Sequence, residues 1–130
     1  MNTGTNWRYA CFAMGVRLNR VRYGTDGGGK LSKQTLETGN WYHLVMTYAD
    51  GYSSLYINGN LDSSATDSFT RSSEPSLVIG ARKYGPKRVG EYTGLIDDVV
   101  IYNLAISDDA IMDLFAAAPI SPVPALIARP

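Results

Sequence analysis

One cysteine, Cys11, stands in 130 residues, so no disulfide can close within the chain. A lone cysteine reads as a small buried hydrophobe, with a reactive or intermolecular thiol as the alternative. Histidine is equally scarce: His43 has no second histidine, which excludes a histidine-rich metal site. Glutamate occurs only at Glu37, Glu74 and Glu91, which leaves little material for paired-carboxylate hydrolysis. No apolar run reaches the ~18 residues needed to span a bilayer, so no membrane insertion is expected. The N-terminus, Met1-Asn-Thr-Gly-Thr-Asn, lacks a charged-then-apolar export pattern, so any such signal is expected elsewhere. Net charge is also absent, with 12 Lys+Arg against 12 Asp+Glu, and this argues against a general nucleic-acid binder.

What the chain does have is nine tyrosines and 13 glycines, a composition suited to strands joined by tight turns. Trp7 to Phe12 is aromatic and strand-like, Met14-Gly15 reads as a turn, and Val16 to Tyr23 alternates as an exposed hairpin strand. The glycines of Thr25-Asp-Gly-Gly-Gly-Lys mark a loop. Trp41 to Tyr48 is bulky on both parities and reads as a mid-sheet strand. Asp50-Gly51 and Asn58-Gly59 are hairpin signals that join it to Tyr52–Asn58 and then Leu61–Ala65, a three-strand meander.

Ser63 to Ser76 is polar and loop-rich, Leu77 to Gly80 reads as a short buried strand, and Arg82 to Arg88 as a loop broken at Gly85-Pro86. Tyr92 to Asn103 is apolar on both parities, which predicts a long strand inside a sheet. Ser107-Asp-Asp-Ala-Ile is an N-capped helix start, with Asp108 and Asp109 complementing the helix dipole. Ile111, Leu114 and Phe115 give that helix one apolar stripe. Pro119, Pro122 and Pro124 make residues 119–130 an extended tail or linker.

The order Trp41-Tyr-His-Leu-Val-Met-Thr-Tyr-Ala-Asp-Gly, Leu55-Tyr-Ile-Asn-Gly, Leu77-Val-Ile-Gly, Gly94-Leu-Ile-Asp-Asp-Val-Val-Ile-Tyr-Asn and Ile106-Ser-Asp-Asp-Ala-Ile resembles laminin-G-like, concanavalin A-like jelly-roll domains. The match runs from Leu36 to Ala118, and Trp7 to Tyr23 is similar to the strand pair that usually precedes the Trp-x-His strand. The resemblance implies an all-β, antiparallel two-sheet jelly-roll sandwich over residues 1–118, with one short C-terminal helix and without the family's usual first strands. It implies further that Tyr92–Asn103 lacks a neighbour, and such an apolar edge invites a homodimer or strand exchange, the alternative being a fragment that repairs the edge with its own N-terminus or proline tail. Domains of this kind usually bind glycans or proteins and rarely do chemistry. The resemblance therefore implies a non-catalytic, lectin-like module for a glycan or glycoprotein, in an extracellular or cell-surface setting. The alternatives are a protein-interaction module with no sugar site and, third, a glycoside hydrolase.

Two clusters stand out as sites. Arg82, Lys83, Lys87 and Arg88 form a basic stretch flanked by Tyr84 and Tyr92. Arginine suits bidentate contact with sulfate or carboxylate, and tyrosine suits stacking on a sugar face. The expected ligand residues are thus Arg82, Lys83, Tyr84, Arg88 and Tyr92, against the alternative of a solvated surface. Asp97 and Asp98 are candidate Ca²⁺ ligands, because the resemblance implies a calcium ion near this strand. By parity only one of them can serve, with Asp98 favoured, and the alternative is a carboxylate bonded to loop amides or an arginine. Arg17, Arg20 and Arg22 read as charges that keep an exposed strand from mispairing, and His43 as a satisfied packing residue.

Overall fold

The computed structural model describes residues 13–24, 29–68, 77–84, 87–89 and 91–118. The expected strand at Trp7–Phe12, most of the Ser63–Ser76 loop and the tail from Pro119 lie outside them. The described chain is mostly β, with two antiparallel three-stranded sheets, a two-stranded hairpin and one helix.

The first sheet holds β1 (Ala13–Arg17), β2 (Arg20–Gly24) and β3 (Lys30–Thr35), and the second holds β4 (Leu44–Ala49), β5 (Tyr52–Ile57) and β6 (Asn60–Thr66). Both sheets follow chain order, and the described reversals between consecutive strands are short. At Asp50-Gly51 (φ 51° and 80°) and Asn58-Gly59 (φ 51° and 80°) both turn residues are left-handed, which matches the twist of the flanking strands. The first hairpin corrects the sequence expectation. Met14 and Gly15 lie inside β1, and the reversal falls at Leu18-Asn19 (φ 51° and 60°). A leucine in left-handed conformation carries no sequence signal for such a turn. β3 had no sequence signal either, and the expected strand from Trp41 begins only at Leu44.

Alternation then decides the core. Val21 and Tyr23 on β2 and Leu55 and Ile57 on β5 are two residues apart on their strands, so each pair shares a face, and all four are buried. These two pairs pack against each other across the sandwich, with Leu36, Tyr42, Leu44 and Met46 around them.

Where β3 meets β6 the joint is polar. The two Asp62 carboxylate oxygens accept the Lys33 and Gln34 amides at 2.8 and 2.9 Å. Burial alone would raise that carboxyl, but the Gln34 and Lys33 amides, the Ser63 hydroxyl and the Lys33 charge outweigh it and hold it below the usual range. Nearby, Asp67 takes an ion pair from Lys30 at 3.2 Å and the Ser53 hydroxyl at 2.6 Å. A bulge interrupts the β2–β3 register between Arg20 and Arg22. There the Val21 amide donates to the buried Ser32 hydroxyl at 3.0 Å, so the bulge leaves no orphan donor.

Helix α1 (Asp108–Ala117) starts where Ser107 accepts the Ala110 amide, with Asp108 and Asp109 in its first turn. Its single fully buried residue, Ile111, anchors it. Met112 and Phe115 lie over the Asn58-Gly59 turn so closely that a Cβ on Gly59 would sit 2.9 Å from Met112 Sδ. Tyr56 Oη donates to Asp108 Oδ1 at 2.5 Å, which ties β5 to the helix start.

Two further expectations are corrected. Leu77–Gly80 is neither strand nor buried, and Leu77 and Ile79 are exposed. Residues 91–107 form no strand: the run expected inside a sheet is exposed and, apart from the Tyr92 amide, has no strand partner among the described residues. No described helix is long and apolar enough to cross a membrane.

Candidate functional site

Arg82 to Arg88 was expected to be a loop and is instead a hairpin, β7 (Arg82–Tyr84) against β8 (Lys87–Val89). Its register sets Arg82 opposite Val89, Lys83 opposite Arg88 and Tyr84 opposite Lys87. Four of the six strand residues are thus cationic, and one cross-strand pair is cation on cation. Like charges directly opposite each other are unfavourable in a strand pair.

Tyr92 continues the pairing at the base of the hairpin, where its amide donates to the Gly80 carbonyl at 2.7 Å. Its ring lies across Gly94, where an added Cβ would meet the phenol at 2.8 Å. The glycine therefore sets where the ring rests, and the ring remains about half exposed. Arg82, Lys83, Tyr84 and Arg88 therefore share one hairpin, and Tyr92 is fastened beside it.

Asp97 and Asp98 are adjacent, exposed and turned into each other: the Asp98 amide donates to Asp97 Oδ1 at 2.8 Å, and Asp98 is left-handed (φ 51°). Calcium takes 6–8 oxygen ligands. No group of three His, Cys, Asp or Glu side chains able to hold a metal occurs among the described residues. Two carboxylates alone supply fewer oxygens than calcium takes, and one Asp97 oxygen accepts the Asp98 amide.

His43 has the packing role expected of it but is not fully satisfied. Its backbone pairs with Asn58 on both sides, the amide to the Asn58 carboxamide at 2.9 Å and the carbonyl to the Asn58 amide at 2.8 Å. Its ring lies 6.0 Å from the Phe115 ring. Nδ1 is buried without a partner, and burial lowers the imidazole pKa. A shallow apolar groove runs between Tyr102 and α1, lined by Ile106, Ala110, Leu114 and Ala117, with Asp113 at its edge. It offers little polar chemistry. The Tyr56–Asp108 bond escaped sequence reasoning, because no local pattern links residues so far apart.

Residues 3–112 match the family model described as the concanavalin A-like lectin/glucanases superfamily. The chain belongs to that superfamily. Its description spans lectins and glucanases, so membership fixes the fold and leaves both binding and hydrolysis within range. A crystal structure of an S-layer domain-containing protein from Clostridium thermocellum is similar in fold, with a TM-score of 0.53 and 21% identity. The alignment covers 88% of this chain and 59% of that one, so this superfamily member spans well under two thirds of the neighbour. No curated protein matches it.

Proposed function

We propose that this domain is a non-catalytic, lectin-like module that binds acidic carbohydrate or glycoconjugate through the β7–β8 hairpin. The observation that carries the reading is the register of that hairpin, with Lys83 opposite Arg88 and Arg82 and Lys87 on the same two strands. On a chain of zero net charge, such a concentration of cations is local. Sulfate or carboxylate groups on a sugar would offset the repulsion, and exposed Tyr92 supplies an aromatic face for a sugar ring. The S-layer name of the structural neighbour and the superfamily membership support a cell-surface or extracellular setting.

The test compares retention of the protein on immobilised heparin, as a sulfated probe, with retention on dextran, as a neutral one. Retention on heparin should fall steeply with salt, and Lys83→Glu with Arg88→Glu should weaken it at least tenfold. Equal retention on both probes, or no effect of the double reversal, overturns the reading.

The protein-interaction alternative is favoured by a separate observation, the exposed apolar run that follows the hairpin.

A further inference from the structure

Between Leu95 and Tyr102 six residues, Leu95, Ile96, Val99, Val100, Ile101 and Tyr102, are each between 48% and 67% exposed. Together they present surface on the order of 700 Å², above the ~300–600 Å² of the largest apolar patch on a typical monomer. The area is close to the ~800 Å² that each partner contributes to a standard stable interface. None of these residues has a strand partner among the described residues, and Tyr102 alone of the six borders the groove on α1. An apolar segment without a strand partner is a template for another strand.

The order of residues says which strand fits. Two identical strands running antiparallel are symmetric about one point. With Val100 on the axis, Val99 meets Ile101, Ile96 meets Leu104 and Leu95 meets Ala105. In the same register Asp98 meets Tyr102 and Asp97 meets Asn103, so each carboxylate faces a side chain that can donate a hydrogen bond.

Neighbouring registers lose this match. An axis between Val99 and Val100 sets Asp98 against Ile101, and one between Val100 and Ile101 sets Asp97 against Leu104. An axis between Asp98 and Val99 sets both carboxylates against valines, and an axis on Asp98 sets carboxylate against carboxylate.

We propose that residues 95–105 are the pairing strand of a homodimer, aligned antiparallel with the same residues of a second copy about a two-fold axis at Val100. The interface is isologous, so each favourable pair off the axis occurs twice. In the described chain Asp98 is left-handed and its amide is held by Asp97. Pairing straightens Asp98 into the β region and frees the Asp97 carboxylate for Asn103 of the second copy. The proposal uses none of the hairpin cations and stands apart from the glycan reading.

Sedimentation velocity of the full chain across a wide concentration range, with hydrogen exchange of residues 95–105, tests it. The wild type should dimerise, with these amides protected in the dimer. Val100→Lys and Val100→Glu each place like charges face to face on the axis, and each alone should raise the dimer dissociation constant at least tenfold. An equimolar mixture of the two should restore the dimer, which a mere folding defect would not. A wild type that stays monomeric overturns the proposal. Protected amides in that monomer would mean that the chain's own residues cover the run, and unprotected amides would leave it to a different protein. A dimer that survives in both variants places the interface elsewhere, and failure of the mixture to recover refutes the axial register.

Discussion

Replacing Tyr56 with phenylalanine removes one oxygen and, with it, the bond that ties β5 to the first turn of α1. The donor is buried and the acceptor is a carboxylate, the class of hydrogen bond worth about 1.5–3 kcal/mol. Asp108 is itself exposed, so solvent screening brings the expected loss to about 1–2 kcal/mol. With a urea m-value of about 1.5 kcal/mol/M, typical of a small domain, the unfolding midpoint should fall by about 1 M at unchanged m.

The same bond has a pH signature. Burial, the hydrogen bond to Asp108 and the Asp108 charge push the Tyr56 hydroxyl up to about 12, from an ordinary value of 10.0. The folded state holds this proton more tightly than the unfolded state, so the added stability is complete below pH 10. It is lost as the pH rises from 10 towards about 12. Urea midpoints measured from pH 8 to pH 12 should therefore decline less in Tyr56→Phe than in the wild type, and the two curves should converge at the alkaline end. In a double-mutant cycle, Asp108→Asn should cost much less on the Tyr56→Phe background. Equal midpoints for wild type and Tyr56→Phe, or parallel alkaline limbs, would refute the reasoning.

Three other perturbations follow from the fold. Leu18→Gly should stabilise by about 0.5–1 kcal/mol, because a left-handed leucine costs roughly 1–2 kcal/mol and glycine returns part of that as chain entropy; thermal unfolding reads the gain, and Leu18 is 82% exposed, so no packing is lost. Gly59→Ala combines a left-handed backbone (φ 80°) with a Cβ pressed on Met112 and Phe115, and should cost about 1–3 kcal/mol with weakened docking of α1, seen as a lower urea midpoint. His43 is held below its ordinary 6.5 by burial, so the unfolded chain binds its proton more readily and stability should fall as the pH drops below 6.5. Since His43 is the only histidine, its imidazole resonance titrates without overlap, and an unshifted midpoint would contradict the buried Nδ1.

The parts of the fold that could be read from sequence are those fixed within a few residues. Asp50-Gly51 and Asn58-Gly59 accept left-handed backbone readily, so the β4–β6 meander was legible, and the Ser107 cap marked the helix start. The Leu18-Asn19 reversal was not legible, because leucine is adverse there and only the pairing of β1 with β2 enforces it. Tyr92–Asn103 misled for the opposite reason. Apolar residues on both parities indicate a strand covered on both faces, but no partner strand is present among the described residues. Of the site, the cluster of Arg82, Lys83, Tyr84, Arg88 and Tyr92 was visible as composition, whereas the Lys83–Arg88 register exists only once the strands pair.

The three-strand meander has a kinetic consequence. Its strands are joined by two-residue turns, so each hairpin closes a loop near the shortest the backbone allows, at little entropic cost. Hairpins of this kind form in about 1–10 μs. Bringing Val21 and Tyr23 against Leu55 and Ile57 is a different event, since it joins segments more than thirty residues apart. Contacts of that separation dominate the barrier in β proteins. The meander should thus assemble early and wait for β2, with Asp62 on β6 already placed to take the β3 amides when the first sheet arrives.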